Sequence, residues 1–288
     1  MPSEVEPLTS VVLKHARDAF VDNATIAAQW KDLRFAAPPD FARAIDEYDA
    51  FLALVQSSGA AVRLLPRDAR TTLDSIYVRD ASIVCSRGVI LGSMGKPQRA
   101  REPETQEAAF ARLPSTPVIG AIQPPGRLEG GDVVWLDDRT VVIGRGYRTN
   151  DEGIRQLRTL LDGDVEIIVV ALPHWRGVQD VMHLMSLVSP VDRDVALVYS
   201  PLLPVPFREL LLHRGIDLVE VPDEEFETMG TNVLALAPGR CLMLAGNPRT
   251  RSALERAGVD VVEYVGQEIS VKGAGGPTCL TRPLARTG

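Results

Sequence analysis

The sequence predicts an α/β fold of repeated units set radially around one centre. Three observations carry this expectation. A strand, turn, strand, helix, strand pattern recurs with different residues at a period of roughly 45 residues. No low-complexity stretch or charge block separates one copy from the next. Polar residues able to do chemistry (Asp80, Glu129, His183, Asn232 and Cys279) fall near the starts of the copies, at intervals of 49, 54, 49 and 47 residues. Units that each bury one face cover their cores by stacking on neighbours, which favours a ring over the alternative of an open α/β sheet.

The elements follow in order. The apolar SVVLKHA reads as a strand, FARAIDEYDAFLALVQSSG as a helix and AVRLLP as a second strand. Together with the C-terminal CLTRPL they could complete a circularly closed fifth unit. IYVRDASIVCSRGVILGSM is a two-strand hairpin turning at Ser86-Arg87-Gly88, followed by the helical PETQEAAFARL. GDVVWL, a turn at Asp137-Asp138, TVVIG, a helix from about Asp151 with Asn150 as its cap, and VEIIVVAL form the clearest copy. HLMSLVSPV, the turn Asp192-Arg193-Asp194, VALVYS, PFRELLLHRG and IDLVEVP repeat that order, with Gly215 ending the helix. NVLALAP, Gly239-Arg240, CLMLAG, TRSALERAG and VDVVEYV repeat it again, and Gly258 stands where Gly215 stood.

The chain has 288 residues, 31 Lys+Arg against 38 Asp+Glu, and 45% hydrophobic residues, values that fit a globular protein and disfavour disorder or a basic nucleic-acid-binding domain. One domain over residues 1–288 is the simpler organisation. The net charge of −7 is compatible with cationic substrates. An odd count of three cysteines, with no CxxC pair, fits a reducing compartment and gives no zinc cluster or disulfide framework. No apolar run approaches the roughly 18 residues that span a bilayer, so a cytoplasmic protein without nucleic-acid or membrane partners is expected.

Cys279 lies in GAGGPTCLTRPL, where Gly273, Gly275, Gly276 and Pro277 suggest a sharply turned approach that leaves a thiol at a loop-to-strand junction. Cys85 and Cys241, within apolar strands, read as buried hydrophobes. His183 opens an apolar stretch, a position suited to a general acid/base or to a structural histidine. Glu129, before Gly130-Gly131, is the candidate carboxylate to orient it, in the manner of other nucleophile–base–acid sets. In DSIYVRD, Asp74 and Asp80 would share one face of an extended chain while Arg79 points the other way. Carboxylates, an imidazole and a thiol at one pocket suit a planar cation attacked at carbon. Guanidinium fits best, because two of its N–H groups meet one carboxylate. Walker A, HExxH, GxSxG and dinucleotide fingerprints are absent.

The ordered set DSIYVRD, LEGGDV, GYRTN, MHLMS and GGPTCLTRPL resembles the guanidino-group-modifying superfamily of arginine deiminases, amidinotransferases and dimethylarginine dimethylaminohydrolases. The likeness spans nearly the whole chain and is nearest to the last group. It implies a five-bladed α/β-propeller (pentein), with Cys279 as nucleophile, His183 as general acid/base, Glu129 as its partner and Asp80 as second guanidinium carboxylate. It also implies that Asp74 holds the amino-acid end of the substrate, and that Arg99 in GKPQRAR and Arg148 in GYRTN bind its α-carboxylate. No metal or organic cofactor is implied; the partner is a small guanidino amino acid, and a homodimer is compatible with the resemblance.

Two departures bear on the substrate. Arginine deiminases carry an acid two residues after the histidine, where this chain has Met185, which suits a methylated guanidinium. Arg79 stands where the dimethylarginine enzymes have an acid, and GGPTCLTRPL is closer to the deiminase and amidinotransferase ending. The resemblance implies hydrolysis of Nω-methylated L-arginine to L-citrulline and methylamine or dimethylamine. The alternatives are an arginine deiminase or amidinotransferase, and a non-catalytic guanidino-amino-acid binding protein.

Overall fold

The computed structural model describes residues 3–112, 116–178 and 182–287. Its strands are β1 (Leu8–Leu13), β2 (Ala61–Leu64), β3 (Ser82–Cys85), β4 (Gly88–Leu91), β5 (Val118–Ala121), β6 (Val133–Trp135), β7 (Thr140–Arg145), β8 (Glu166–Ala171), β9 (Val188–Pro190), β10 (Val195–Val198), β11 (Asp217–Glu220), β12 (Val233–Ala237), β13 (Arg240–Leu244), β14 (Asp260–Tyr264) and β15 (Arg282–Arg286). They form five three-stranded sheets, ordered β15-β1-β2, β3-β4-β5, β6-β7-β8, β9-β10-β11 and β12-β13-β14. In each, the middle strand runs antiparallel to the first and parallel to the third. A parallel pair needs a crossover, and each blade has a helix of nine or more residues in it: Phe41–Ser57, which two shorter helices (Ala16–Phe20 and Asn23–Gln29) precede, Glu102–Phe110, Asp151–Leu160, Val205–His213 and Pro248–Arg256. The closure expected between the two ends of the chain is present as the β1–β15 pairing.

The ring follows from period-2 side-chain alternation applied to middle strands buried on both faces. Val141 and Ile143 of β7 pack with Ile83 and Ile90 of the preceding blade. Val142 packs instead with Val188 and Ala196 of the next. From β10, Leu197 continues to Cys241 and Met243, and from β13, Leu242 and Leu244 continue to Val11 and Leu13. Val12 closes the circuit on Val89 and Leu91. Each middle strand is thus shared between two cores, and five such shares return to the start.

Local signals behave as their chemistry requires. Asn150 accepts a hydrogen bond from the Gly153 amide (2.9 Å) and Asp40 one from Arg43 N (3.0 Å), satisfying donors at two helix starts. Gly215 and Gly258 take φ of 73° and 86° just after their helices, the left-handed geometry of a helix stop. Cys85 and Cys241 are buried within sheets. Leu113, expected in the second crossover helix, lies outside the described residues. Among those described, no helix is long and apolar enough to cross a membrane.

Residues 73–80 correct one expectation. Asp74 and Asp80 are not on an extended strand: Leu73–Ile76 is a 3-10 turn, and the chain turns again before β3. Both acids are buried all the same. Three-residue periodicity in so short a piece leaves no pattern that distinguishes it from a strand.

Candidate active site

Asp80, Glu129, His183, Asn232 and Cys279 each precede the first, inner strand of a different blade, and these inner strands approach one another around the centre, as β9 does β12 and β15 does β3. Equivalent positions in five blades therefore face one place, which is what the near-equal intervals predict.

His183 Nε2 lies 2.8 Å from Glu129 Oε2, and His183 Nδ1 lies 3.9 Å from Asp80 Oδ1. Glu129 is fully buried, its Oε1 accepting from the Gly95 amide at 2.7 Å. Gly131 makes the convergence possible. A Cβ there would sit 2.7 Å from His183 Nδ1 and 2.8 Å from Asp80 Oδ1, closer than side chains tolerate. Asp132, one residue on, uses its Oδ1 to accept from Leu184 N (3.0 Å), tying the Glu129 loop to the His183 turn.

Cys279 is partly exposed, in the tight turn before β15. Asn232 Nδ2 donates to its Sγ at 3.4 Å, while Asn232 Oδ1 accepts from both Thr278 N (3.0 Å) and Thr278 Oγ1 (2.8 Å). The two acceptor bonds fix which way the amide points, so the NH₂ end faces sulfur. Asn232 stood among the spaced polar residues without an assigned role; only topology shows it against the thiol.

The glycines of GAGG act by close approach. Tyr77 packs where side chains at Gly273 and Gly275 would stand (1.9 Å and 2.2 Å from an added Cβ), and Asn232 does so at Gly276 (2.4 Å). The positive φ of the segment belongs to Ala274, at 55°.

Electrostatics assign the protons. Burial alone would lower the His183 pKa, but the carboxylates of Asp80, Asp132 and Glu129 outweigh it and push it up to about 9. Burial opposes ionisation of Glu129, yet the His183 hydrogen bond and the Arg148 charge hold its carboxyl far below the usual range. Burial raises Asp132 to about 6. The Cys279 thiol is raised by burial and by Asp80, with Asn232 acting in the opposite direction. The result is an imidazolium–carboxylate pair beside a protonated thiol. Asp80, Glu129 and His183 offer atoms within 4.8 Å of one another, a spacing a metal could use. A protonated His183 is a poor metal ligand, so the donor set suits an organic cation better.

The arginines differ from expectation. Arg99 is not turned toward a substrate carboxylate: it donates to Asp80 Oδ2 (2.5 Å), to both oxygens of Glu102 (2.9 and 2.8 Å) and to Tyr77 O (2.8 Å), all in a buried setting. Two buried acids outcompete an exposed ligand position, and Arg99 thereby fixes Asp80. Arg148 Nη1 meets Glu129 Oε1 and Oε2 at 2.9 and 3.0 Å, so one guanidinium already rests on the carboxylate expected to hold another. Asp74 is buried and paired with Lys96, whose Nζ also donates to Leu33 O (2.9 Å). The pairing of Lys96 and the Arg99–Glu102 fork were not legible from residue types.

Five blades around a buried imidazolium–carboxylate pair and a thiol define a protein of the guanidino-group-modifying superfamily. The arginine deiminase family model matches residues 73–205 and 203–286. The chain is 29% identical to the arginine deiminase of Mycobacterium tuberculosis, covering 82% of this chain and 70% of that protein. It is 30% identical to the N(G),N(G)-dimethylarginine dimethylaminohydrolase of Pseudomonas aeruginosa, covering 84% and 89%. The structure of the Pseudomonas aeruginosa dimethylarginine enzyme, as a cysteine-to-serine mutant complexed with citrulline, superposes with a TM-score of 0.76 at 25% identity, covering 96% of this chain and 98% of that one. The chain belongs to the arginine deiminase family, and it is a hydrolase of guanidino groups.

Proposed function

We propose that the protein hydrolyses Nω-methylated L-arginine to L-citrulline and methylamine or dimethylamine. The observation that carries the reading is the placement of His183 between Asp80 and Glu129, whose carboxylates raise its pKa, with the Cys279 thiol held by Asn232 of a further blade at the same centre. A substrate guanidinium resting on Asp80 and Glu129 brings a positive charge to the thiol, which favours loss of its proton to solvent. The thiolate forms a bond to the guanidinium carbon. The tetrahedral adduct breaks its bond to the methylated nitrogen as His183 gives that nitrogen a proton, leaving a thiouronium on Cys279. Neutral His183 then takes a proton from water as the water oxygen bonds to the same carbon. Collapse expels the Cys279 sulfur and leaves the ureido group of citrulline.

Methylated substrate is favoured by Met185, two residues after His183 and buried among apolar neighbours, where a carboxylate would grip a second unsubstituted edge. Arginine itself is the second reading, favoured by the family match to arginine deiminases. Arg148 is assigned the α-carboxylate of the substrate once the substrate guanidinium replaces it on Glu129, and Asp74 with Lys96 borders the amino-acid end. The test is product analysis with dimethylarginine, monomethylarginine and arginine in parallel. Citrulline with dimethylamine supports the first reading, ammonia from arginine alone the second, and no citrulline from any of them overturns both.

A further inference from the structure

Glu102 stands in the first turn of the helix Glu102–Phe110 and is 3% exposed. Among the described residues, both hydrogen bonds to its carboxylate come from Arg99: Nε donates to Oε1 (2.9 Å) and Nη2 to Oε2 (2.8 Å). This fork fixes the plane of the guanidinium, and Nη1 then meets Asp80 Oδ2 at 2.5 Å. Asp80 is left with one free acceptor. Its Oδ1 is buried, has no hydrogen-bond partner among the described residues, and lies 3.9 Å from His183 Nδ1. A buried acceptor without a donor is costly, and an N–H of a substrate guanidinium would satisfy it.

The backbone around Asp80 is held by other means. Gln106, one turn along the helix from Glu102, donates to Val78 O at 2.7 Å, and Gly130 N donates to Asp80 O at 2.9 Å. Glu102 therefore governs where the Asp80 side chain points more than where the segment runs. It also governs what Arg99 can reach. Arg99 donates to Glu102, to Asp80 and to Tyr77 O (2.8 Å), which leaves little of its guanidinium for a substrate carboxylate, and removing Glu102 would free both N–H groups of the fork. Burial raises Glu102 to about 7 against the opposing Arg99 charge, so above that value the carboxylate is ionised and the fork is complete.

We propose that Glu102 is a positioning residue that acts through Arg99: it turns Asp80 so that Oδ1 is offered to the substrate guanidinium, and it withholds Arg99 from the substrate's α-carboxylate. The inference rests on the reading above that Asp80 takes the guanidinium, and it removes Arg99 from the carboxylate-binding role that the resemblance implies.

The test is protection of Cys279 from alkylation at about pH 8, where Glu102 is ionised and His183 keeps its proton. Two probes are titrated: decarboxylated arginine, which has the guanidinium without the carboxylate, and norvaline, which has the amino-acid end without the guanidinium. In Glu102→Gln, half-protection should need roughly tenfold more decarboxylated arginine than in wild type, and no more norvaline. Arg99→Lys, whose point charge cannot bridge both acids, should behave alike. Equal losses for both probes would mean that Glu102 only supports the fold, and a loss confined to norvaline in Arg99→Lys would return Arg99 to the α-carboxylate; either result overturns the proposal, as does unchanged protection by decarboxylated arginine. If decarboxylated arginine fails to protect wild type, the reading of Asp80 as the guanidinium carboxylate falls, and the proposal with it. Crystals of Cys279→Ser with dimethylarginine bound leave Glu102 unaltered: Arg99 should remain on Asp80 and Glu102 with the α-carboxylate on Arg148, and Arg99 found on the α-carboxylate overturns the proposal.

Discussion

Glu129 is shared between His183 and Arg148: Oε2 meets the imidazole at 2.8 Å, and Arg148 Nη1 sits 2.9 and 3.0 Å from the two oxygens. One buried carboxylate thus joins Asp80 and Asp132 in raising the imidazole pKa and also rests against a guanidinium, the two tasks the proposed reaction asks of it.

The first prediction concerns pH. The ordinary His183 value of 6.5 is raised to about 9 in the folded protein, so the folded state binds more protons between those values. This contribution to stability is complete below 6.5 and is lost as pH rises through about 9. Urea midpoints of wild type should therefore fall between pH 6.5 and 9.5, and those of His183→Asn should fall less. Turnover should decline through the same upper limb, because the proton donor disappears. Equal midpoint changes in the two proteins would contradict the assignment.

Asn232 is a positioning residue for the thiol. A hydrogen bond to a charged group contributes about 1.5–3 kcal/mol, so Asn232→Ala should slow turnover roughly 10–100-fold. The pH profile for alkylation of Cys279 should move to higher pH, and Asn232→Gln should recover part of the shift. A rate loss with an unmoved profile would mean that Asn232 only supports the fold.

Gly131→Ala places a methyl group against His183 and Asp80. Overpacking of this kind costs about 1–3 kcal/mol, and displacing both groups should reduce turnover by about 100-fold or more. Wild-type turnover in Gly131→Ala would show that the two groups need not approach as closely as they do here.

In the proposed reaction Arg148 distinguishes an amino-acid substrate from other guanidino compounds. Arg148→Met should raise KM about tenfold or more for the arginine derivative while barely changing that for its decarboxylated analogue. Equal effects on both would remove the α-carboxylate from its role.

The blades were legible because their chemistry is local. Val141, Val142 and Ile143 announce a strand, Asn150 a helix start and Gly215 a helix stop, each without reference to distant residues. That Asp80, Glu129, His183 and Cys279 fall at one centre was legible because the repeat converts regular spacing into convergence; their roles are what the resemblance implies. What was not legible depends on pairs far apart in the chain. The Asn232 amide acquires meaning only against Thr278 and Cys279, and Arg99 looked free for a ligand because Asp80 and Glu102 could not be placed around it. The 3-10 turn at Leu73–Ile76 is too short to show a period.

The most direct measurement is the intact mass of the protein, acid-quenched during turnover of dimethylarginine. Wild type should carry the mass of a thiouronium adduct, mapped by peptide digestion to Cys279, and Cys279→Ser should carry none while losing at least about a thousandfold in turnover. Citrulline formed at the wild-type rate by Cys279→Ser, or an adduct on another residue, would contradict covalent catalysis at Cys279.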